Sequence, residues 1–320
     1  MSMNGKNIVV SVFMITYNHE KYIAKAIEGV ISQQVNFDIE LIIGEDCSSD
    51  KTNDLCIEYA RKYPNIIRVL SREKNIGIHK NFYDTLDHCC GKYIAFCEGD
   101  DYWTDPLKLQ KQVDFMEANK EYGLVYTNYN VYDEDKNIIN KSVFSRNRCP
   151  RIFEEHLIAK GFIAPMTWLF RRELLEDFDR TEFPDITFAV ALDLFKKTKI
   201  HFMDTITATY TMHKGSVSRP KSIEEQYKLH KSIFEMQLYY LKKYDCDERL
   251  FKIVYSQNYL GILPFAIELN DERFIAKYDR NPLEYKNEDS GGVFCVESCY
   301  PYTFAYWMGR YFKFIEEGEK

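Results

Sequence analysis

The chain has 320 residues, enough for one large domain or two moderate ones. Its hydrophobic share of 45% and charged share of 28% are those of a soluble globular protein. A net charge of −7 argues against an electrostatic grip on nucleic acid, and no apolar run is long enough to cross a bilayer.

The polar segment Met1 to Lys6 runs straight into a strand, so no signal peptide is expected. The nine cysteines include no CxxC pair; Cys89 and Cys90 are adjacent, and three residues separate Cys295 from Cys299. They read as reduced, mostly buried thiols of a cytoplasmic protein rather than as a disulfide or zinc framework. An aromatic share of 15% suits a sugar- or base-binding cleft and a large core alike.

Ile8 to Ile15 is a continuous β-branched and apolar run, the pattern of a strand buried on both faces. Glu20 to Gln33 places Tyr22, Ile23, Ala26, Ile27, Val30 and Ile31 at helical spacing. Ile39 to Ile43 is a second strand, and Ser49 or Asp50 caps a helix with Leu55, Cys56, Tyr59 and Ala60 on its apolar side. A strand over Ile66 to Leu70, a helix over Asn81 to His88 and a strand over Lys92 to Phe96 follow. Asp105-Pro106 opens the next helix, with proline at its first position. Strands alternating with helices predict a doubly wound parallel sheet, in which ligands bind outside the carboxyl ends of the strands.

Further on, Gly123 to Thr127 and Tyr129 to Tyr132 read as two strands, with a hairpin turn over Asp133 to Asn137. Met166 to Phe170 reads as a strand, Arg172 to Phe178 as a short helix, and Ile186 to Lys197 as a helix. Ile200 to Met203 and Ile206 to Met212 read as two more strands. After Ser218-Arg219-Pro220 the character changes, and Ser222 to Tyr244 and Asp247 to Leu269 read as long helices. The expected organisation is a catalytic α/β domain over residues 1–220 and a helical C-terminal region over 221–320. The aromatic stretch Tyr300 to Phe314 lacks a dense Lys/Arg face, which favours packing over a membrane surface.

Four motifs fall at successive strand ends: Thr16-Tyr17-Asn18, Glu45-Asp46-Cys47-Ser48-Ser49-Asp50, Asn75-Ile76-Gly77 and Glu98-Gly99-Asp100-Asp101. In the last, three carboxylates crowd into four residues. They repel one another unless a cation sits among them, and hard cations such as Mg²⁺ bind through one or two carboxylates plus substrate phosphates. Each motif also has a local reading. Ser48, Ser49 and Asp50 suit a helix cap, Asn75-Ile76-Gly77 a turn, and Thr16 and Asn18 a strand end.

Taken together, the order and setting of these motifs resemble the family-2 glycosyltransferases over Val9 to Ser218. The resemblance implies a GT-A fold: α/β, a Rossmann-like, mostly parallel sheet flanked by helices, followed here by the helical C-terminal region. It implies an inverting transferase that moves a hexosyl or N-acetylhexosaminyl unit from a nucleotide-sugar donor, a UDP-sugar by preference. The acceptor would be a saccharide or lipid-linked saccharide in polysaccharide, capsule or lipopolysaccharide assembly, and the cofactor Mn²⁺ or Mg²⁺. Carried over, Thr16, Tyr17 and Asn18 lie where the first strand meets the nucleotide, and Asp46 where the base is read. Asn75 and Gly77 fall beside the nucleotide sugar, Glu98 near ribose or metal, and Asp100 at the usual metal ligand, with Asp101 a further candidate. Glu45 and Glu98 stand where the family more often has aspartate, which moves each charge by a methylene.

An inverting transferase needs a general base for the acceptor hydroxyl. Ala191-Leu192-Asp193-Leu194-Phe195 resembles the family's base helix, so Asp193 is the expected base, with Asp185 and Asp204 as competitors. His213, in Met212-His213-Lys214-Gly215-Ser216-Val217-Ser218, is a candidate for contact with the diphosphate or the metal. Trp103 and Trp168 are candidate sugar-stacking platforms, with core packing as the alternative. The expected location is the cytoplasm or the inner face of the membrane, with peripheral contact through the C-terminal region, and a homo-oligomer is among the expected assemblies. Two other functions fit parts of the pattern: a nucleotide-sugar-binding pseudoenzyme without a base, and a sugar nucleotidylyltransferase. The second wants a Gly-rich phosphate loop where the chain has Ile15-Thr16-Tyr17-Asn18-His19. No Gly-x-Gly-x-x-Gly follows a strand, which disfavours a dinucleotide oxidoreductase.

Overall fold

A computed structural model describes residues 7–142, 149–158, 163–183, 185–213 and 222–278. These form two compact units. The first takes in the described residues up to Glu182 and from Ile186 to His213; the second takes in Phe183, Asp185 and 222–278. Pro220, the stretch Tyr300 to Phe314, Cys295 and Cys299 lie outside the described residues.

The first unit runs β1 (Val10–Thr16), α1 (Ile23–Ile31), β2 (Ile39–Glu45), α2 (Thr52–Lys62), β3 (Ile67–Ser71), α3 (Ile78–Asp87) and β4 (Tyr93–Phe96). Then come β5 (Tyr102–Trp103), α4 (Lys108–Ala118), β6 (Tyr122–Asp133), β7 (Ile138–Asn140), α5 (Phe153–Ile158), β8 (Leu169–Arg171), α6 (Ile186–Lys197) and β9 (Lys199–Met212). Short 3₁₀ turns cover Pro165–Thr167 and Arg172–Leu175, where the sequence suggests a strand start and an α-helix. The strands form one sheet in the order β3-β2-β1-β4-β8-β6-β9-β5, with β7 paired to β6. Pairing is parallel from β3 through β4. Beyond β4 it mixes: β8 runs antiparallel to β4 and β6, while β6 and β9 run parallel.

The parallel half forms where the apolar runs predict it. β1 lies between β2 and β4, so Val10, Val12, Phe13 and Met14 are all buried. Phe13 packs on Phe82 of α3 and on Phe96 of β4, each with ring centroids 4.7 Å apart. α1 starts later than its periodicity suggests, because His19 to Tyr22 closes a turn in which the His19 carbonyl accepts from the Tyr22 and Ile23 amides. β6 and β9 are each one long strand rather than two. The polar residues that interrupt each pattern, Asn128 and Asp204-Thr205, mark register shifts where Thr127 faces Met203 and Asn128 faces Ile206. A bulge adds residues to one strand without ending it, so a break in alternation resembles a turn.

α4 begins at Lys108 rather than at Pro106, since Asp105 spends its side chain on the Leu107 amide and its carbonyl on the Lys108 amide. The Lys108 side chain is 0% exposed. Its Nζ donates to Gln112 Oε1 at 2.7 Å and lies 4.3 Å from the Trp103 ring centroid. Burial pushes its pKa down to about 7 from the ordinary 10.5. Protonation therefore favours the unfolded chain: the penalty is absent above the unfolded pKa, grows as pH falls, and is complete below about 7. Lys108→Met is expected to raise Tm at pH 6 and to raise it little near pH 10. Equal gains by calorimetry at both pH values would show that the buried charge is not the cause.

The second unit holds α7 (Ile223–Lys243), α8 (Glu248–Glu268) and α9 (Glu272–Tyr278). Ser222 Oγ accepts from the Glu225 amide and Asp247 Oδ1 from the Leu250 amide, so both long helices carry side-chain caps. Phe234, Tyr255 and Tyr278 pack together where the three helices meet. No helix among the described residues is long and apolar enough to cross a membrane, and the seven described cysteines are free thiols.

Candidate active site

β1, β2 and β4 are parallel neighbours, so the loops after Thr16, Glu45 and Phe96 leave the sheet on one edge. The end of β9 is tied to the same edge, because the Thr211 amide donates to Asp101 Oδ1 at 2.8 Å. His213, the next residue after β9, thereby reaches Asp100: its Nε2 lies 3.0 Å from Asp100 Oδ2. His19, from the loop after β1, brings its Nε2 to 4.0 Å from the same oxygen. One ligand atom from each of these residues falls within 4.8 Å of the others.

Several neighbours set this geometry. Gly99 is required by close approach: a Cβ there would stand 2.5 Å from Thr16 Oγ1 and 3.0 Å from His19 Nδ1. Thr16 Oγ1 lies 3.3 Å from His19 Nδ1 and so orients the ring. The Tyr22 ring stacks on His213 with centroids 4.7 Å apart, and its hydroxyl donates to Glu134 Oε2 at 2.7 Å. The Glu134 amide in turn donates to the Met212 carbonyl at 3.0 Å. Gly99→Ala is expected to cost about 1–3 kcal/mol through overpacking and to weaken divalent-ion binding by roughly tenfold or more. Calorimetric titration at parental affinity would remove Gly99 from this account.

Protonation follows from burial and charge. Burial lowers the His19 pKa, which keeps the imidazole neutral, although the Asp100 charge works the other way. At Asp100 burial pushes upward, yet the His213 hydrogen bond and the charges of His19 and His213 leave the carboxyl lowered overall. Asp101 goes the other way: burial first, then the Asp100 and Glu98 charges, hold its pKa well above the usual range. Its Oδ2 is buried with no hydrogen-bond partner among the described residues, which suits a neutral acid. Asp101 therefore anchors β9, while Asp100 carries the charge.

The remaining motif residues latch the loops together. Asn18, at a φ of 57°, accepts from the Ser49 amide at 2.9 Å through Oδ1, and its own amide donates to Ser48 Oγ at 3.0 Å. Glu45 Oε1 accepts from the Ser48 amide at 2.8 Å. Asp46 uses both carboxylate oxygens on backbone, accepting from the Ile76 amide at 2.8 Å and the Gly77 amide at 3.0 Å. Asn75 Oδ1 also accepts from the Gly77 amide, at 3.0 Å, and Gly77 sits at a φ of 85°, which glycine adopts without strain. Thr16 is buried, Glu98 half-buried, and Tyr17 is 46% exposed.

Three expectations are changed by the tertiary structure. Trp103 and Trp168 are only 5% and 1% exposed. The Trp103 indole donates to the Met166 carbonyl, and Trp168 packs on Phe96, so both are core residues with no face open to a sugar. Asp193 is not brought to the His19–Asp100–His213 cluster. It is 1% exposed, and its Oδ2 lies 3.4 Å from Lys197 Nζ, whose other partners include the Leu174 carbonyl. Lys197 stands just before β9 begins, whereas His213 follows its end. Sequence reasoning missed His19, Tyr22 and Glu134. The signal for His19 was its position directly after Thr16-Tyr17-Asn18; nothing local pointed to the other two.

The donor set of two imidazoles and one carboxylate, with the second nitrogen of His19 turned to a hydroxyl, fits a divalent metal ion. A family model described as glycosyl transferase family 2 matches residues 11–179. An uncharacterized protein of Mycobacterium tuberculosis is 39% identical over 165 residues, 51% of this chain and 47% of the relative. The chain thus spans about half the length of the mycobacterial relatives it matches. A putative teichuronic acid biosynthesis glycosyltransferase of Bacillus subtilis is 28% identical over 218 residues, 67% of this chain and 82% of the relative. The UDP-Glc:alpha-D-GlcNAc-diphosphoundecaprenol beta-1,3-glucosyltransferase of Escherichia coli is 28% identical over 222 residues, 67% and 81% of the two chains. Among solved structures, S. aureus TarS in complex with UDP-GlcNAc superposes with a TM-score of 0.58 at 19% identity, covering 82% of this chain and 73% of that one. A Pyrobaculum calidifontis mannosyltransferase in complex with GDP-Man and Mn²⁺ gives 0.55 at 16% identity, covering 81% and 73%. At such identities these likenesses concern the fold.

Proposed function

Since the chain belongs to glycosyl transferase family 2, we propose that it is an inverting enzyme that transfers a sugar from a UDP-sugar to a hydroxyl acceptor. The observation that carries this reading is the convergence of His19, Asp100 and His213 at the carboxyl edge of β1 and β4. A divalent ion held there would neutralise the donor diphosphate as it leaves. Asp46 holds the Asn75-Ile76-Gly77 turn in shape, and its remaining lone pairs are the proposed acceptors for a uracil N3–H. Thr16, Tyr17, Asn18 and Glu98 complete the proposed nucleotide wall. The acceptor is proposed to be a saccharide or lipid-linked saccharide, in keeping with relatives named for teichuronic acid and diphosphoundecaprenol-linked sugars.

A thermal-shift panel of nucleotide sugars, with and without Mn²⁺, tests the donor. Binding to the folded state raises Tm by linkage, so UDP-sugars with Mn²⁺ are expected to give the largest rise. No shift with any nucleotide sugar would end the donor-site reading. The burial of Asp193 favours one second reading, a donor-binding module without a base. Release of free sugar from a bound donor, measured over hours, separates the enzyme from the module.

A further inference from the structure

We propose that a cleft on the sheet edge opposite the candidate active site binds a phosphate group other than the donor's. It is an open cavity of about 400 Å³ within the first unit, where the starts of β6 and β9 meet the first residues of α5 and the last turn of α6. The proposal is independent of the donor-site reading.

Three cations line the cleft: Arg151 from just before α5, Lys196 from the last turn of α6, and Lys199 from the start of β9. Glu154 is the one acid among its lining residues, so the cleft is locally positive in a chain whose net charge is −7. Like charges gathered in one cleft repel each other, and an anion placed among them relieves the repulsion. The positive field extends past the lining, since the His201 pKa is lowered first by burial and then by the Arg151 charge. The neighbouring Lys197 does not contribute, because its ammonium is bound to the Leu174 carbonyl and to Asp177.

The walls point to the ligand. Arginine grips phosphate oxygens bidentately and lysine binds them as a point charge, so one guanidinium and two ammonium groups match a phosphate. The floor is apolar, with Phe153, Phe195 and Ile200 buried, and the Lys196 ammonium lies 5.1 Å from the Phe153 ring centroid. A charged rim over an apolar floor suits the head and carbon skeleton of an organic phosphate, and the volume is that of a small-molecule site.

The topology separates this phosphate from the donor's. β8 runs antiparallel to both β4 and β6, so β6 and β9 point the same way as β1 and begin at the opposite edge. The 14 residues of β9, at about 3.3 Å each, put Lys199 roughly 40 Å along the strand from the end that carries His213. A single nucleotide sugar does not span that distance.

The experiment titrates the full chain in EDTA with inorganic phosphate and with glycerol 3-phosphate by calorimetry. In a second arm the chain is floated with vesicles of phosphatidylcholine, alone or with phosphatidic acid added. Binding of the soluble phosphates identifies a free organic phosphate as the source. Flotation on phosphatidic acid without soluble binding identifies a lipid headgroup. In the arm that binds, Arg151→Gln and Lys199→Gln are each expected to weaken affinity roughly tenfold, and Lys199→Glu to abolish it. Lys62→Gln, on α2, is the control for surface charge and is expected to change affinity by less than about twofold. Arg151, Lys199 and Lys62 are exposed, so all the variants are expected to keep the parent's Tm. UDP affinity in Mn²⁺ is expected to stay within about twofold of the parent, because charges this far apart are screened. No binding in either arm, or affinity as indifferent to the Arg151 and Lys199 variants as to Lys62→Gln, overturns the proposal. Loss of UDP affinity in Lys199→Gln also overturns it, since the phosphate would then belong to the donor site.

Discussion

Asp100→Ala is expected to lower sugar transfer by about 10³-fold or more and to abolish the effect of divalent ions on UDP affinity. The carboxylate is the one oxygen ligand in the cluster and is poised between two imidazoles, with His213 Nε2 at 3.0 Å. Its removal leaves two neutral or cationic rings facing each other and no anion to hold a cation. Asp100→Asn keeps the volume and is expected to lose nearly as much, since charge rather than shape is at stake. The fold should survive both changes, because Asp101, not Asp100, ties β9 to β4 through the Thr211 amide. Calorimetric titration of UDP into parent and variant, in Mn²⁺ and in EDTA, reads the effect directly. Parental affinity that is the same in both conditions would refute a metal-dependent donor site.

For Asp193→Asn the expected loss is stability, not chemistry. A general base must reach the acceptor hydroxyl at hydrogen-bond distance. Asp193 is 1% exposed, lies on a helix whose residues from Phe188 to Phe195 are all buried, and is paired with Lys197 at 3.4 Å. Removing the charge leaves Lys197 with the Leu174 carbonyl at 2.9 Å and with Asp177, so the cost should be about 1–3 kcal/mol. That predicts a fall in Tm of several degrees, with kcat per folded molecule within about threefold of the parent. Asp185→Asn and Asp204→Asn test the two competing acids singled out in the sequence: a loss of about 10²- to 10⁴-fold in kcat without a matching loss of Tm would identify the base, and no loss in either would leave the donor-binding module as the reading. If Asp193→Asn instead loses kcat on that scale at unchanged Tm, Asp193 is the base and the acceptor reaches it through a rearranged α6. An inverted anomeric product, read by NMR, checks the mechanism for any of the three.

The motifs at the ends of β1, β2 and β4 were legible because local chemistry dictates them. A largely apolar, β-branched run such as Val10 to Ile15 suits a strand buried on both faces, and in a parallel sheet the polar residues that end it lie at its edge. The Asn75-Gly77 turn and the helix starts at Ser222 and Asp247 were legible for the same reason, since a turn or helix end is satisfied by its own neighbours; that Ser222 and Asp247 cap with their side chains came from the structure. Asn128 and Asp204-Thr205 misled because alternation reports burial along one strand and is silent about the partner that absorbs a bulge.

The sequence by itself thus determined the order of strands and helices in the first half, the acidic turn after β4 and the family resemblance. Only the tertiary structure decided which chemical groups meet. Trp103 and Trp168 carry the same apolar character in a core as on a sugar platform, and their 5% and 1% exposure places them in the core. Asp193 looks like any helical acid until the packing of α6 seals it against solvent. His19 and His213 stand at opposite ends of the first unit, and no local pattern links them. They meet because the parallel pairing of β1 with β4 and the Thr211–Asp101 bond carry both chain segments to one edge. Periodicity encodes what a residue buries, and long-range pairing decides what it faces.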